Sequence, residues 1–270
     1  MTISIQKANF WKRFSAWLVD TVLVILLAVA CSIPLLDVFK FDANGAEINA
    51  IQVQYQTTIE EQYSVDIDLS QEEYDKLPEA QKEKINAAKT ALNELLMADE
   101  AFIRLRAARL SILLTTAAIA VFLAILLAHF VLPLILKNGQ TLGKKTFGLA
   151  VVKENCVTIG APVLFIRSMI GLFGMETMAV AFLATIYPVG LITAGLVLIL
   201  QIFVMIKTNT NAAIHDLLAH TVVVDFSSQQ IFESEEERAQ FLAKETANDT
   251  DTTSYDSLPQ ESTAAPTNNE

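Results

Sequence analysis

The stretch ANFWKRFSAWLVDTVLVILLAVACSIPLL, residues 8–36, limits what this chain can become more than any other. From Ala16 to Leu36 it is apolar for about twenty residues, the helix length that crosses a ~30 Å hydrocarbon layer. One acid, Asp20, interrupts the run, and Arg13 sits just before it. On a helix the two lie nearly two turns apart on one face, about 10 Å along the axis. A carboxyl inside a membrane helix is costly unless it faces protein or water. Asp20 is therefore expected to look inward, onto groups that other helices supply. Lys12, Arg13 and an apolar stretch ending at Ala28-Val29-Ala30-Cys31 also have the outline of a lipoprotein signal peptide. Asp20 within the stretch, and Ala28 where a larger aliphatic is usual, favour an uncleaved anchor.

A hydrophobic fraction of 53% combined with a net charge of −11 fits membrane spans joined to acidic soluble segments. Most of the negative charge lies between Asp37 and Arg109 and after Val224, and the remainder is net basic. That distribution excludes nucleic-acid binding, which needs a basic face. Cys31 and Cys156 offer neither a disulfide framework nor metal-ligand spacing, and no cofactor is implied.

The hydrophobic pattern predicts an all-α membrane protein, a four-span helical bundle. Residues 8–36 form the first span and 37–109 an acidic, helix-rich extramembrane insertion. Residues 110–225 complete the membrane domain, and 226–270 form an acidic, largely disordered tail. Pro34 is expected to stop or kink span one. Within the insertion, Asn44-Gly45 signals a turn and Ile51-Val53-Tyr55 alternates like a short strand. Ser70 with Glu73 forms a capping box, and Pro78 suits a first helical turn. From Glu79 a single helix striped by Ile85, Leu92, Leu96 and Ile103 is expected to run into span two, residues 110–136. Leu149–Lys153 and Thr221–Val224 read as short strands. Pro162 to Ile206 is apolar and too long for one crossing, and Tyr187-Pro188-Val189-Gly190 divides it. A helix-prone acidic segment starts near Ser234, and residues 246–270 read as disordered. Lys7, Lys12, Arg13, Lys137, Lys144, Lys145, Lys153 and Lys207 fall on one side of this scheme. Both termini are therefore expected in the cytoplasm. Arg104, Arg106 and Arg109 fall on the opposite side, next to a long loop, where the rule is weak.

In this scheme Asp20, His129 and Arg167 each lie ~9 Å below the midplane, with Gln201 near that level. A polar cluster is expected there, Arg167 neutralising Asp20, as an architectural ion pair or as a proton or cation site. Glu176 lies closer to the midplane without an evident partner, which suits transport or a neutral hydrogen-bond donor. The loop Gly139-Gln140-Thr141-Leu142-Gly143-Lys144-Lys145 fails as a phosphate-binding loop. Three residues separate its glycines where four are needed, and Lys145 stands where Ser or Thr should hold magnesium. It reads as a turn with lysines near lipid phosphates. His215 and His220 flank Asp216 without further ligands at metal spacing, and read as capping or hydrogen-bonding residues. No hydrolytic triad or paired-carboxylate arrangement stands out, so an enzyme is not indicated.

Arg13 at the start of span one, Asp20 inside it and Asp216 near the end of the hydrophobic region resemble the RDD family of bacterial membrane proteins. NGQTLGKKTFGLAVVK is similar to that family's Gly-Gln-Thr-x-Gly-Lys segment at Gly139, Gln140, Thr141, Gly143 and Lys144. IHDLLAHTVVV is similar to its closing motif through His215, Asp216, Leu218, Ala219 and Thr221. The departures are Leu217 in place of an arginine, His220 in place of a glycine, and the long insertion. The resemblance implies a small helical domain of the bacterial inner membrane, for which a transport role has been suggested. Two functions follow as expectations. One moves a small cation or proton past Asp20 and Glu176. The other is a membrane scaffold that engages a protein partner through its acidic outer domain and tail. If the two short strands pair on the cytoplasmic face, Asp216 is drawn to the inner end of span one, and Arg13 and Asp216 are expected to meet.

Overall fold

The computed structural model describes residues 5–179, 181, 189–208 and 211–255. They form two compact units, one up to Val22 and from Ile125 onward, the other Leu23–Ala124. Helix α1, Phe10–Val38, buries Arg13, Ala16 and Asp20, spaced three and four apart on one face. Trp11, Trp17, Ile25, Leu26, Val29 and Ile33 on its other sides are exposed. Polar groups inside and apolar groups outside invert the pattern of a soluble surface helix. Pro34 does not end α1, which runs on to Val38. Its missing N–H removes one backbone bond, and an apolar helix tolerates that.

In the second unit the expected Asn44-Gly45 turn and Ile51–Tyr55 strand are replaced by helix α2, Phe41–Tyr63. Ile48, Ile51, Tyr55 and Ile59 recur every three or four residues and pack on Ala88, Leu92 and Leu96 of α4, Glu79–Ala98. Val53, which completed the strand-like alternation, is exposed. Gly45 fits inside α2 because the Arg109 guanidinium crosses there: a Cβ would meet Arg109 Nη1 at 2.2 Å. Arg109 also stacks over the Phe41 ring at 3.8 Å. The short helix α3, Gln71–Asp75, starts at Ser70 with the expected capping box. The helix expected to run unbroken from Glu79 stops at Asp99, whose Oδ1 accepts from Phe102 N at 2.9 Å and caps a new helix, α5, Glu100–Ile125. The Tyr55 hydroxyl donates to the other oxygen of Asp99 at 2.8 Å, fixing the break. Phe102 takes the buried place expected of Ile103, which is exposed.

From α5 the chain passes through a π-helical turn, Leu126–Val131, into α6, Leu132–Leu136. Pro133 is the second residue after the turn, and a wider turn absorbs the hydrogen bond that proline cannot make. Phe10–Val38 and Glu100–Leu136 are long and apolar enough to cross a membrane.

In the first unit, helix α7 (Leu142–Thr146) leads into strand β1 (Leu149–Lys153). Helix α8, Ala161–Phe165, continues as a π-helix, Ile166–Thr177. Helices α9 (Val189–Lys207) and α10 (Ile214–Leu218), strand β2 (Thr221–Asp225) and helix α11 (Glu235–Tyr255) follow. The two expected strands do pair, antiparallel, from Leu149 opposite Asp225 to Lys153 opposite Thr221. Leu149, Val151 and Val223 pack with Ala8 and Ala16 on one face, while Ala150, Val152, Val222 and Val224 pack on the other. Tyr187 and Pro188 of the expected dividing turn lie outside the described residues, and Val189 and Gly190 are helical. Helix α11 reaches Tyr255, beyond the point where disorder was expected. Ser234 Oγ accepts from Glu237 N at 3.1 Å and caps its acidic first turn.

Leu92 lies in the α2–α4 core, so Leu92→Ala should destabilise the insertion by about 2–5 kcal/mol. Val53→Ala, at an exposed position, should change stability by less than about 0.5 kcal/mol. Limited proteolysis of the insertion measures both.

Candidate functional site

Asp20 comes to lie against the loop that opens α7. Its Oδ2 accepts from the Thr141 hydroxyl at 2.5 Å and its Oδ1 from Gly143 N at 2.8 Å. The Lys144 ammonium stands 3.6 Å from Oδ2. Thr141 is also the N-cap of α7, accepting from Lys144 N at 3.3 Å. Carboxylate and hydroxyl together thus satisfy N–H groups that a helix start leaves open. Gly143 is required by closeness, because a Cβ there would meet the Ala16 carbonyl oxygen at 2.2 Å. Gly139 takes a left-handed φ of 59° to close the preceding turn. Gln140 donates to the Leu149 carbonyl at 2.8 Å and holds the loop to β1.

Asp216 occupies the third position of α10 and reaches back to accept from Ala213 N at 3.1 Å. Arg13 Nη2 donates to Oδ2 at 2.8 Å. Arg167 donates to Oδ1 through Nε at 2.9 Å and Nη2 at 2.5 Å. This carboxylate has no solvent exposure, and both guanidinium groups are buried beside it. Burial alone would push the Asp216 carboxyl up, but the charges of Arg167, His215 and Arg13 hold it well below the usual carboxylate range.

Glu176 is not alone. His215 N donates to its Oε1 at 2.9 Å, the His215 Nδ1 lies 2.8 Å from the same oxygen, and Gln201 donates to Oε2. The π-helix explains how Glu176 and Arg167 reach neighbouring residues of one short helix. Nine positions apart on an α-helix they would face opposite ways. At the roughly 4.4 residues per turn that i to i+5 bonding gives, they share a face. Gly171 lies between them on that face, and a Cβ there would meet His215 Cβ at 2.8 Å.

The site thus differs from the expected single cluster. Arg13 and Asp216 meet as expected. Arg167 pairs with Asp216 rather than Asp20, because β1–β2 pairing carries α10 to it while the Thr141 loop claims Asp20. Gln201 joins Glu176, and His129, in the π turn of Leu126–Val131, takes part in neither carboxylate group. Among the described residues no set of His, Cys, Asp or Glu converges to hold a metal. Sequence reasoning missed Gly171. Its signal was a glycine inside an apolar helical stretch, a mark of close packing.

Burial lowers the Lys144 ammonium to about 8, against the raising effect of Asp20. Between about 8 and its ordinary 10.5 the folded protein therefore binds fewer protons than the unfolded chain. Stability should rise with pH through that window. Comparing thermal unfolding in detergent across pH 8–10 for the wild type and Lys144→Met should show this slope in the wild type alone, and equal slopes would contradict the buried ammonium.

Residues 7–220 match the family model described as RDD family. No curated protein and no solved structure matches the chain significantly. Arg13, Asp20 and Asp216, the residues that first suggested the likeness, are all buried. With the match covering most of its length, the chain belongs to the RDD family.

Proposed function

We propose that this chain is a multi-pass protein of the bacterial inner membrane, with both termini in the cytoplasm, that moves a proton or small cation through a site centred on Glu176. The observation that carries the reading is a buried glutamate in a long apolar stretch, in contact with an ionisable imidazole and an amide. A carboxyl in such a position is retained for function more often than for stability. Four crossings are supported by α1, the run to Leu136, the α8–π segment and the 19-residue apolar α9. The lysines of the connecting loops support the orientation. Asp20 drops out as the exchangeable carboxylate. Its oxygens are engaged by a hydroxyl, a backbone N–H and an ammonium, so it acts as the anchor of the Thr141 loop.

A scaffold role is favoured by a different observation, the separate packed core of the acidic insertion, which provides an outer surface for a protein partner. Flux decides between them. Proteoliposomes bearing the wild type should dissipate an imposed pH or sodium gradient, and Glu176→Gln should lower that rate at least about tenfold, as loss of a group acting directly in proton transfer does. Flux no greater than in empty vesicles would leave the scaffold.

A further inference from the structure

His215 stands between two carboxylates in different situations. Its Nδ1 lies 2.8 Å from Glu176 Oε1, and its Nε2 lies 3.6 Å from Asp216 Oδ1. Asp216 is committed to two guanidinium groups, whereas the imidazole keeps an exposed edge, 17% of its side chain. The backbone N–H of His215 bonds the same Glu176 oxygen, which places the root of the side chain beside that carboxyl. Gly171 leaves the room for that backbone to come close, since a Cβ there would meet His215 Cα at 3.0 Å.

Resting on the reading of Glu176 as the exchangeable group, we infer that the transported species is a proton and that His215 carries it between Glu176 and the water at the strand-bearing end. Imidazole is the side chain suited to this, since it binds a proton at one nitrogen and releases one from the other near neutral pH. The steps balance. Protonated Glu176 gives its proton from Oε1 to Nδ1, leaving a carboxylate and an imidazolium. The imidazolium then loses the proton on Nε2 to water, which leaves the Nδ1–H tautomer, and a turn of the ring about χ2 brings the unprotonated nitrogen back to Glu176 for the next proton. Asp216 is a positioning residue, holding the imidazolium electrostatically without taking the proton. The carboxylates facing His215 are Glu176 at 2.8 Å and Asp216 at 3.6 Å, and Asp216 is bonded in turn to the guanidinium groups of Arg167 and Arg13; His129 lies within electrostatic reach of the ring. A metal cation fits poorly, because the groups aimed at Glu176 include a backbone N–H donor and, among the described residues, no second carboxylate.

The test uses the full chain in proteoliposomes with an imposed pH gradient and a pH-sensitive dye inside. His215→Ala should lose at least about tenfold of the proton flux, and added imidazole should restore it in proportion to its concentration. Gly171→Ala changes no titratable group yet displaces His215, and should lose flux without gaining from imidazole. Thermal unfolding in detergent checks that each variant is folded. If His215→Ala unfolds, His215→Gln, which keeps volume and a hydrogen bond, takes its place and should show the same loss. Wild-type flux that depends on Glu176 but survives folded His215→Ala or His215→Gln overturns the relay and leaves the Glu176 reading standing. Wild-type flux equal to that of empty vesicles overturns both.

Discussion

Everything at the strand-bearing end depends on one carboxylate with no contact with solvent. Asp216 brings α1, the π-helix and α10 together through Arg13, Arg167 and its own backbone. Ionised and alone, such a group would cost several kcal/mol, and its neutral form would hold nothing in place. Two guanidinium groups and a backbone N–H make the charge tolerable and directional. Five residues later β2 begins, so its register on β1 fixes where Asp216 lies, and the ion pairs in turn fix α10. Asp20 repeats the device two turns further along α1, with the Thr141 loop as its partner.

The carboxylate of α10 accepts from two guanidinium groups and a backbone N–H, and that of α1 from a hydroxyl and a backbone N–H with an ammonium beside it. Glu176 differs in having an imidazole, that of His215, among its partners. The contrast separates the carboxylates held by guanidinium, ammonium and hydroxyl groups from the one that meets an imidazole. It also accounts for the glycines: Gly143 and Gly171 sit where a helix must approach another backbone within side-chain distance.

Much of this was legible in the sequence. The strands, the capping box at Ser70 and the Arg13–Asp216 pair follow from local pattern, together with the need of short strands for partners. The misassigned features have identifiable causes. Ile51, Val53 and Tyr55 alternate over five residues, but the stripe through Ile48, Ile51, Tyr55 and Ile59 is helical, and the longer period prevails. The break at Asp99 was hidden because aspartate as an N-cap looks like any helix-surface acid until Phe102 N is found bonded to it. The partner of Arg167 depended on the π-helix, since depth along an α-helix says nothing about a change in residues per turn. The same change gave Glu176 its partner, which single-helix geometry could not supply.

The most direct test of the Asp216 junction is a double-mutant cycle. Unfolding free energies in detergent would be compared for the wild type, Arg13→Met, Asp216→Asn and the double variant. If Arg13 and Asp216 hold the junction together, the cycle should give a coupling of about 1–3 kcal/mol, with the double variant less destabilised than the two single losses added. Additive losses, agreeing within about 0.5 kcal/mol, would contradict it.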